Sequence, residues 1–138
     1  MVSESFINGF YMKPRIDMEL LREYHDGLIA LSACLAGKIP QYILSGSMEE
    51  AEKTALEFKS IFGDDFYLEV QNHDLDDERR VAYGIKLISE KLDIPMVATN
   101  DVHYLNRNDA EMQATLLCMQ TNNVITDGRP FGAGSEVY

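Results

Sequence analysis

The sequence predicts an α/β fold of parallel strand–helix repeats, and three observations point to it. Residues 28–32 are a short apolar run, continuous rather than alternating, which is how a strand buried on both faces reads, and 66–70 and 95–99 read as two further strands. After each run comes a segment whose apolar residues recur at three- and four-residue intervals, the mark of a helix with one buried face. Strand followed by helix, repeated, implies right-handed crossovers and a parallel sheet covered by helices.

The elements follow in order. Asp17 is an N-cap for a short helix from Met18 to Tyr24, and Gly27 supplies its left-handed stop. The run 28–32 is the first strand, and Pro40 to Leu44 form a helical turn. Ser47 opens the next helix with Glu50 three residues on, a capping box, and Met48, Ala51, Ala55, Phe58 and Phe62 mark its apolar face. Gly63 ends it, and the strand Phe66 to Val70 leads into a polar bend from Asn72 to Asp77. A helix from about Asp77 carries the stripe Val81, Ile85, Ile88 and Leu92, with Asp76, Asp77 and Glu78 complementing its positive end. The third strand, 95–99, is followed by a helix capped by Asn108 with Met112, Leu116 and Met119 on one face. From Thr121 onward the chain reads as loop.

Composition narrows the function classes. The 138 residues allow one core but not two, and 46% hydrophobic residues exclude a disordered chain. Twelve Lys+Arg against 23 Asp+Glu leave a formal charge of −11, the wrong sign for gripping a phosphate backbone broadly. The longest apolar stretches, such as residues 94–98, fall far short of the ~20 residues of a membrane helix. No signal peptide opens the chain, so no membrane association and a cytoplasmic location are expected. Cys34 and Cys118 alone imply no disulfide framework. A closed parallel barrel needs about eight strands and roughly 200 residues or more, beyond this chain's reach. Ser3 to Gly9 reads as the tail of an amphipathic helix, and 135–138 as the start of a strand. The chain is therefore expected to be a piece of something longer.

In parallel sheets the functional groups gather beyond the carboxyl ends of the strands. There the sequence places Cys34, then His73 and Asp74, then Asp101 and His103, with the carboxylate of Glu69 inside the second strand. Thiolate, carboxylate and imidazole together form a donor set that suits zinc, and manganese favours the oxygen and nitrogen donors within it. In an extended segment Asp101 and His103 project to the same side. Plainer roles stand beside these. Cys34 and Cys118 can be small buried side chains, His73 and Asp74 solvated bend residues, and Glu69 the outward residue of an edge strand. Asp101 and His103 can cap and hydrogen-bond after a strand. Lys13-Pro14-Arg15 reads as a surface turn, and His25 suits a helix C-terminus.

Four motifs in order carry a resemblance. They are Gly9-Phe10-Tyr11-Met12-Lys13-Pro14-Arg15-Ile16-Asp17, Gly27 to Gly37 with Cys34 inside it, Phe66-Tyr67-Leu68-Glu69-Val70-Gln71-Asn72-His73, and Val97 to Leu105 with Asp101 and His103. Together the chain resembles the C-terminal half of the polymerase and histidinol phosphatase (PHP) domain of bacterial replicative DNA polymerase III alpha subunits. The resemblance covers Gly9 to about Gln120. It implies that residues 1–120 belong to the PHP domain and that 121–138 begin the link out of it.

The resemblance implies a fragment of a distorted seven-stranded (β/α) barrel holding up to three divalent ions, with zinc, manganese and iron as candidates and magnesium for the parent polymerase. By motif match Cys34, Asp101 and His103 correspond to metal ligands, while Glu69 and His73 lie at the site edge without an assigned role. Many alpha subunits have lost ligands in this domain; the three that fall in this window are present. The parent is then a DNA-directed DNA polymerase, a nucleotidyltransferase of DNA replication. DNA and the other polymerase III holoenzyme subunits are its expected partners. Its PHP site would serve as a 3′–5′ exonuclease or phosphoesterase, or as a structural brace. A stand-alone phosphatase of the histidinol phosphatase type is the alternative. The family's early histidine motif and its polymerase aspartates are absent from these residues. No catalytic residue is therefore assigned within the chain, and the isolated chain is expected to be inactive and to self-associate through uncovered edges.

Overall fold

A computed structural model of the chain describes residues 1–122 and Val124. Helix α1 (Val2–Ile7) leads into an antiparallel hairpin of β1 (Phe10–Tyr11) and β2 (Lys13–Pro14), in which Arg15 lies 5.2 Å above the Tyr11 ring. Helix α2 (Met18–Glu23) starts as expected, with the Leu20 amide donating to Asp17 Oδ1 at 2.8 Å. Then come β3 (Ala30–Leu31), α3 (Lys38–Leu44), α4 (Met48–Phe62), β4 (Phe66–Val70), α5 (Asp76–Leu92), β5 (Met96–Ala98) and α6 (Ala110–Thr121). The strands form a parallel sheet in the order β3-β4-β5, with Ala30 beside Phe66 and Leu68 beside Met96. The α/β class and its parallel repeats are thus as the sequence predicts.

The core lies between the sheet and three helices. Ile39 and Ile43 of α3, Ala51, Ala55 and Phe62 of α4, and Val81, Ile85 and Ile88 of α5 enclose Phe66 and Leu68 of β4. Strand alternation turns Tyr67 and Glu69 to the opposite face. Gly84 sits where α5 crosses α3, and a Cβ there would lie 2.7 Å from the Ile43 side chain. The missing methyl is what lets the two helices approach.

Several expectations need correction. The first strand is shorter than 28–32, because it is an edge strand and Ile29, 68% exposed, finds no ladder partner. Ser47 is the N-cap of α4 but makes no capping bond, so the capping box does not form; the Ser45 hydroxyl instead donates to its oxygen at 3.3 Å. Asn108 does not cap α6. A 3₁₀ turn, Arg107–Asp109, intervenes, and Asp109 becomes the N-cap while its carboxylate accepts from the Asn106 amide at 3.0 Å. The expected face of α6 is exposed, with Met119 at 74%, whereas Cys118 is buried, as its plainer reading held. The readings for 125–138, including the strand start at 135–138, lie outside the described residues.

Candidate metal centre

Each candidate ligand sits just past a strand of the parallel sheet, and the backbone there is tightly held. After β3 the Ser32 amide donates to Tyr67 O at 3.1 Å, Ala33 takes a left-handed conformation (φ 67°), and Cys34 comes next. The Gly37 amide donates to Cys34 O at 2.8 Å, and Gln41 Nε2 to Leu35 O at 2.6 Å. Gly37 is required by this turn, since a Cβ would stand 2.3 Å from Ser32 O. Cys34 is half-buried, and it shares a small concavity with Glu69, Gln71 and Glu78. Its space of about 10 Å³ is roughly the room one water needs.

Glu69 is not the outward residue of an edge strand, because β4 is the central strand. Its amide donates to Ser32 Oγ at 2.7 Å, and its Oε1 accepts from the Thr99 hydroxyl and from Gln71 Nε2 at 3.1 Å. The Thr99 amide closes the set by donating to Val70 O at 3.1 Å. Glu69 therefore ties the strand ends together, its backbone amide reaching β3 and its carboxylate the ends of β4 and β5.

His73 is not a solvated bend residue either. Its side chain is 8% exposed, against a Glu78 carboxylate that is 5% exposed. The His73 amide donates to Glu78 Oε2 at 2.5 Å, its Nδ1 lies 2.6 Å from Glu78 Oε1, and its Nε2 lies 2.8 Å from Asn100 O. Both ring partners are acceptors, so only the imidazolium satisfies both at once. Burial works against that charge, but the hydrogen bond to Glu78, the Asn100 carbonyl and the charges of Glu78 and Asp101 outweigh it and raise the pKa above 6.5. A group with a raised native pKa contributes stability in full below the unfolded value and loses it as pH rises through the native value. The urea midpoint of the chain is therefore expected to fall between pH 6 and pH 8. In His73→Gln that part of the fall should vanish; an identical pH profile in the variant would refute the assignment.

Beyond β5 the chain bends. Asp101 is left-handed (φ 47°), so the segment is not extended and the expected same-side projection of Asp101 and His103 does not apply. His103 instead turns back, its Nδ1 at 2.5 Å from Asp101 O. With Nδ1 donating there, the neutral ring has its lone pair on Nε2, the tautomer in which a histidine binds metal through that nitrogen. Both Asp101 and His103 are exposed.

The structure thus gathers Cys34 and Glu69 in one concavity and holds Asp101 and His103 in a neighbouring loop. β3 and β5 are two strand spacings apart, roughly 10 Å. Among the described residues no group of three His, Cys, Asp or Glu side chains is placed to hold one ion. The donor types suit zinc, but these residues alone do not complete a site. No described helix is long and apolar enough to cross a membrane. Glu78 is the member of this cluster that sequence reasoning missed, having placed it with Asp76 and Asp77 at the positive end of the helix dipole. Its signal was its phase: positions 78, 81, 85, 88 and 92 lie on one stripe, so a carboxylate stands in a core row.

Among known protein families, the PHP domain matches residues 1–73, a stretch that holds Cys34, Glu69 and His73. A DNA polymerase III subunit alpha from Thermus aquaticus is 45% identical over 92% of this chain and 10% of its own length. The same subunit from Treponema pallidum (strain Nichols) is 44% identical over 91% of the chain and 11% of its length. That of Deinococcus radiodurans is 39% identical over 94% and 10%. The chain spans about a tenth of the length of these relatives.

Proposed function

The chain belongs to the PHP domain family, and from that premise we propose that it is the C-terminal half of the PHP domain of a bacterial replicative DNA polymerase III alpha subunit. The observation that carries this reading is extent: a relative of that name is 45% identical over 92% of the chain. Residues 1–120 form the PHP part, and 121–138 begin the link to the next region. The parent is a cytoplasmic DNA-directed DNA polymerase that works with DNA and the other holoenzyme subunits. The one-sided covering of the sheet supports a wall of a seven-stranded barrel. Helices lie over Phe66 and Leu68 while Tyr67 and Glu69 face what would be the barrel interior.

In this reading Cys34, Asp101 and His103 contribute ligands to a divalent metal site completed by residues outside the chain. Zinc, manganese and iron are the candidate ions there, and magnesium serves the polymerase site. Bound divalent ions supply charge for phosphodiester oxygens and acidify water near neutral pH, the chemistry of a 3′–5′ exonuclease or phosphoesterase. The chain's own part is to hold the ligand-bearing turns, with Ala33 and Gly37 shaping the Cys34 turn and the Nδ1 contact setting the His103 tautomer. A second reading, in which the domain braces the polymerase, is favoured by one observation: Glu69 and His73 are spent on joining strand ends. A stand-alone phosphatase of the histidinol phosphatase type is disfavoured by the alpha-subunit likeness.

The test is a metal count by native mass spectrometry of the full-length subunit, paired with a mismatched-primer exonuclease assay. Wild type is expected to hold divalent ions, and His103→Ala and Cys34→Ser to lose at least one each. Exonuclease activity that drops at least tenfold in both variants supports the enzymatic reading. A lower melting temperature with no hydrolytic change supports the brace. Unchanged metal content in both variants refutes the ligand assignment.

A further inference from the structure

We infer that His73 is a positioning residue: gripped by Glu78, its ring holds the Asn100 carbonyl and thereby presents Asp101 and His103 in one preset conformation. This rests on the metal-site reading above and goes beyond it, since His73 itself binds no ion. Both of its ring nitrogens are engaged, one by Glu78 Oε1 at 2.6 Å and the other by Asn100 O at 2.8 Å. The contact to Asn100 spans 27 residues of sequence and joins the loop after β4 to the loop after β5.

The backbone just past Asn100 is where such a hold acts. Asp101 sits at φ 47°, a left-handed turn that an aspartate tolerates but is not confined to, so a contact that fixes the preceding carbonyl selects it from the alternatives. The chain then folds so that His103 Nδ1 donates to Asp101 O at 2.5 Å. Glu78, His73, Asn100, Asp101 and His103 therefore form a relay of contacts from a helix in the core to an exposed imidazole. Its rigid end is α5, where Glu78 is 5% exposed, and its free end is the His103 Nε2. Groups that orient metal ligands in this way typically set affinity by 10–100-fold without touching the ion.

The test uses the full-length subunit and reads two quantities in His73→Ala, His73→Gln and His103→Ala. Amide hydrogen exchange over residues 100–104 is expected to speed up at least tenfold in His73→Ala while amides of α4 and α5 keep their protection. Zinc affinity should weaken by 10–100-fold at unchanged stoichiometry. His73→Gln keeps an N–H for Asn100 O and should recover most of both effects, which a merely lost side-chain volume would not do. Unchanged exchange at 100–104, or acceleration spread evenly over the core, overturns the proposal; so does a loosened loop with unaltered affinity. If His103→Ala keeps every ion of wild type, it is the ligand reading that fails. The exchange data then still decide whether His73 holds the segment.

Discussion

Replacing Glu78 by alanine is expected to destabilise the chain by about 1–3 kcal/mol, the cost of leaving a buried donor without its partner. The carboxylate accepts from both the His73 backbone amide and its ring Nδ1, and the two side chains are only 8% and 5% exposed. After truncation the ring can shed its proton, so no charge is left stranded. The His73 amide has no such escape, and a buried donor without a partner costs about 1–3 kcal/mol on its own. Glu78→Gln separates these contributions, because its carbonyl can still accept one of the two bonds and its volume is preserved. It should cost roughly half as much. Equilibrium urea unfolding at pH 6 gives the comparison, and the alanine variant should also lose the pH dependence assigned to His73. A penalty below about 1 kcal/mol would mean that water reaches the pair and screens it as it does a surface ion pair.

That residue also shows where sequence reasoning reaches and where it stops. The buried faces of α4 and α5 were legible, because Ala51, Ala55 and Phe62, and likewise Val81, Ile85 and Ile88, repeat at the helical period and are buried as that period requires, whereas the face expected on α6 is exposed. The parallel pairing was legible from the strand–helix repeat. Strand ends were not, since a ladder needs a neighbour and Leu28 and Ile29 have none, being 39% and 68% exposed. Capping was legible at Asp17 but not further on: the Ser47 hydroxyl accepts from Ser45 rather than from its own helix, and a 3₁₀ turn puts Asp109 in the place expected for Asn108. Cys34, Asp101 and His103 were placed correctly past their strands. The spatial relation of Asp101 to His103 was misread because alternation holds only for extended backbone, and φ 47° at Asp101 breaks it. Glu78 was hidden by its neighbours: three acids in a helix's first turn look like dipole partners, yet only one falls on the apolar stripe.

Leu68→Ala carries the other large effect, an expected loss of about 2–5 kcal/mol from lost burial and the cavity left behind. Leu68 is fully buried at 0% exposure on the central strand, and its amide donates to Pro95 O at 2.9 Å. Domains of this size hold only about 5–15 kcal/mol in total, so this one change removes a large part of the margin. Met96→Ala is the control: it lies beside Leu68 in the ladder but is 46% exposed, and truncation there should cost less than about 1 kcal/mol. The consequence reaches the site because β4 is the only partner that β3 and β5 share among the described residues. The turn bearing Cys34 hangs on β3 through Ser32, and the segment bearing Asp101 and His103 hangs on β5 through Thr99, with Glu69 of β4 bonded to both. A Leu68→Ala chain that is still folded at low temperature should therefore show faster amide exchange at Ser32 and Thr99 together. If either amide loosened without the other, β4 would not be the element that keeps the two ligand-bearing turns in register.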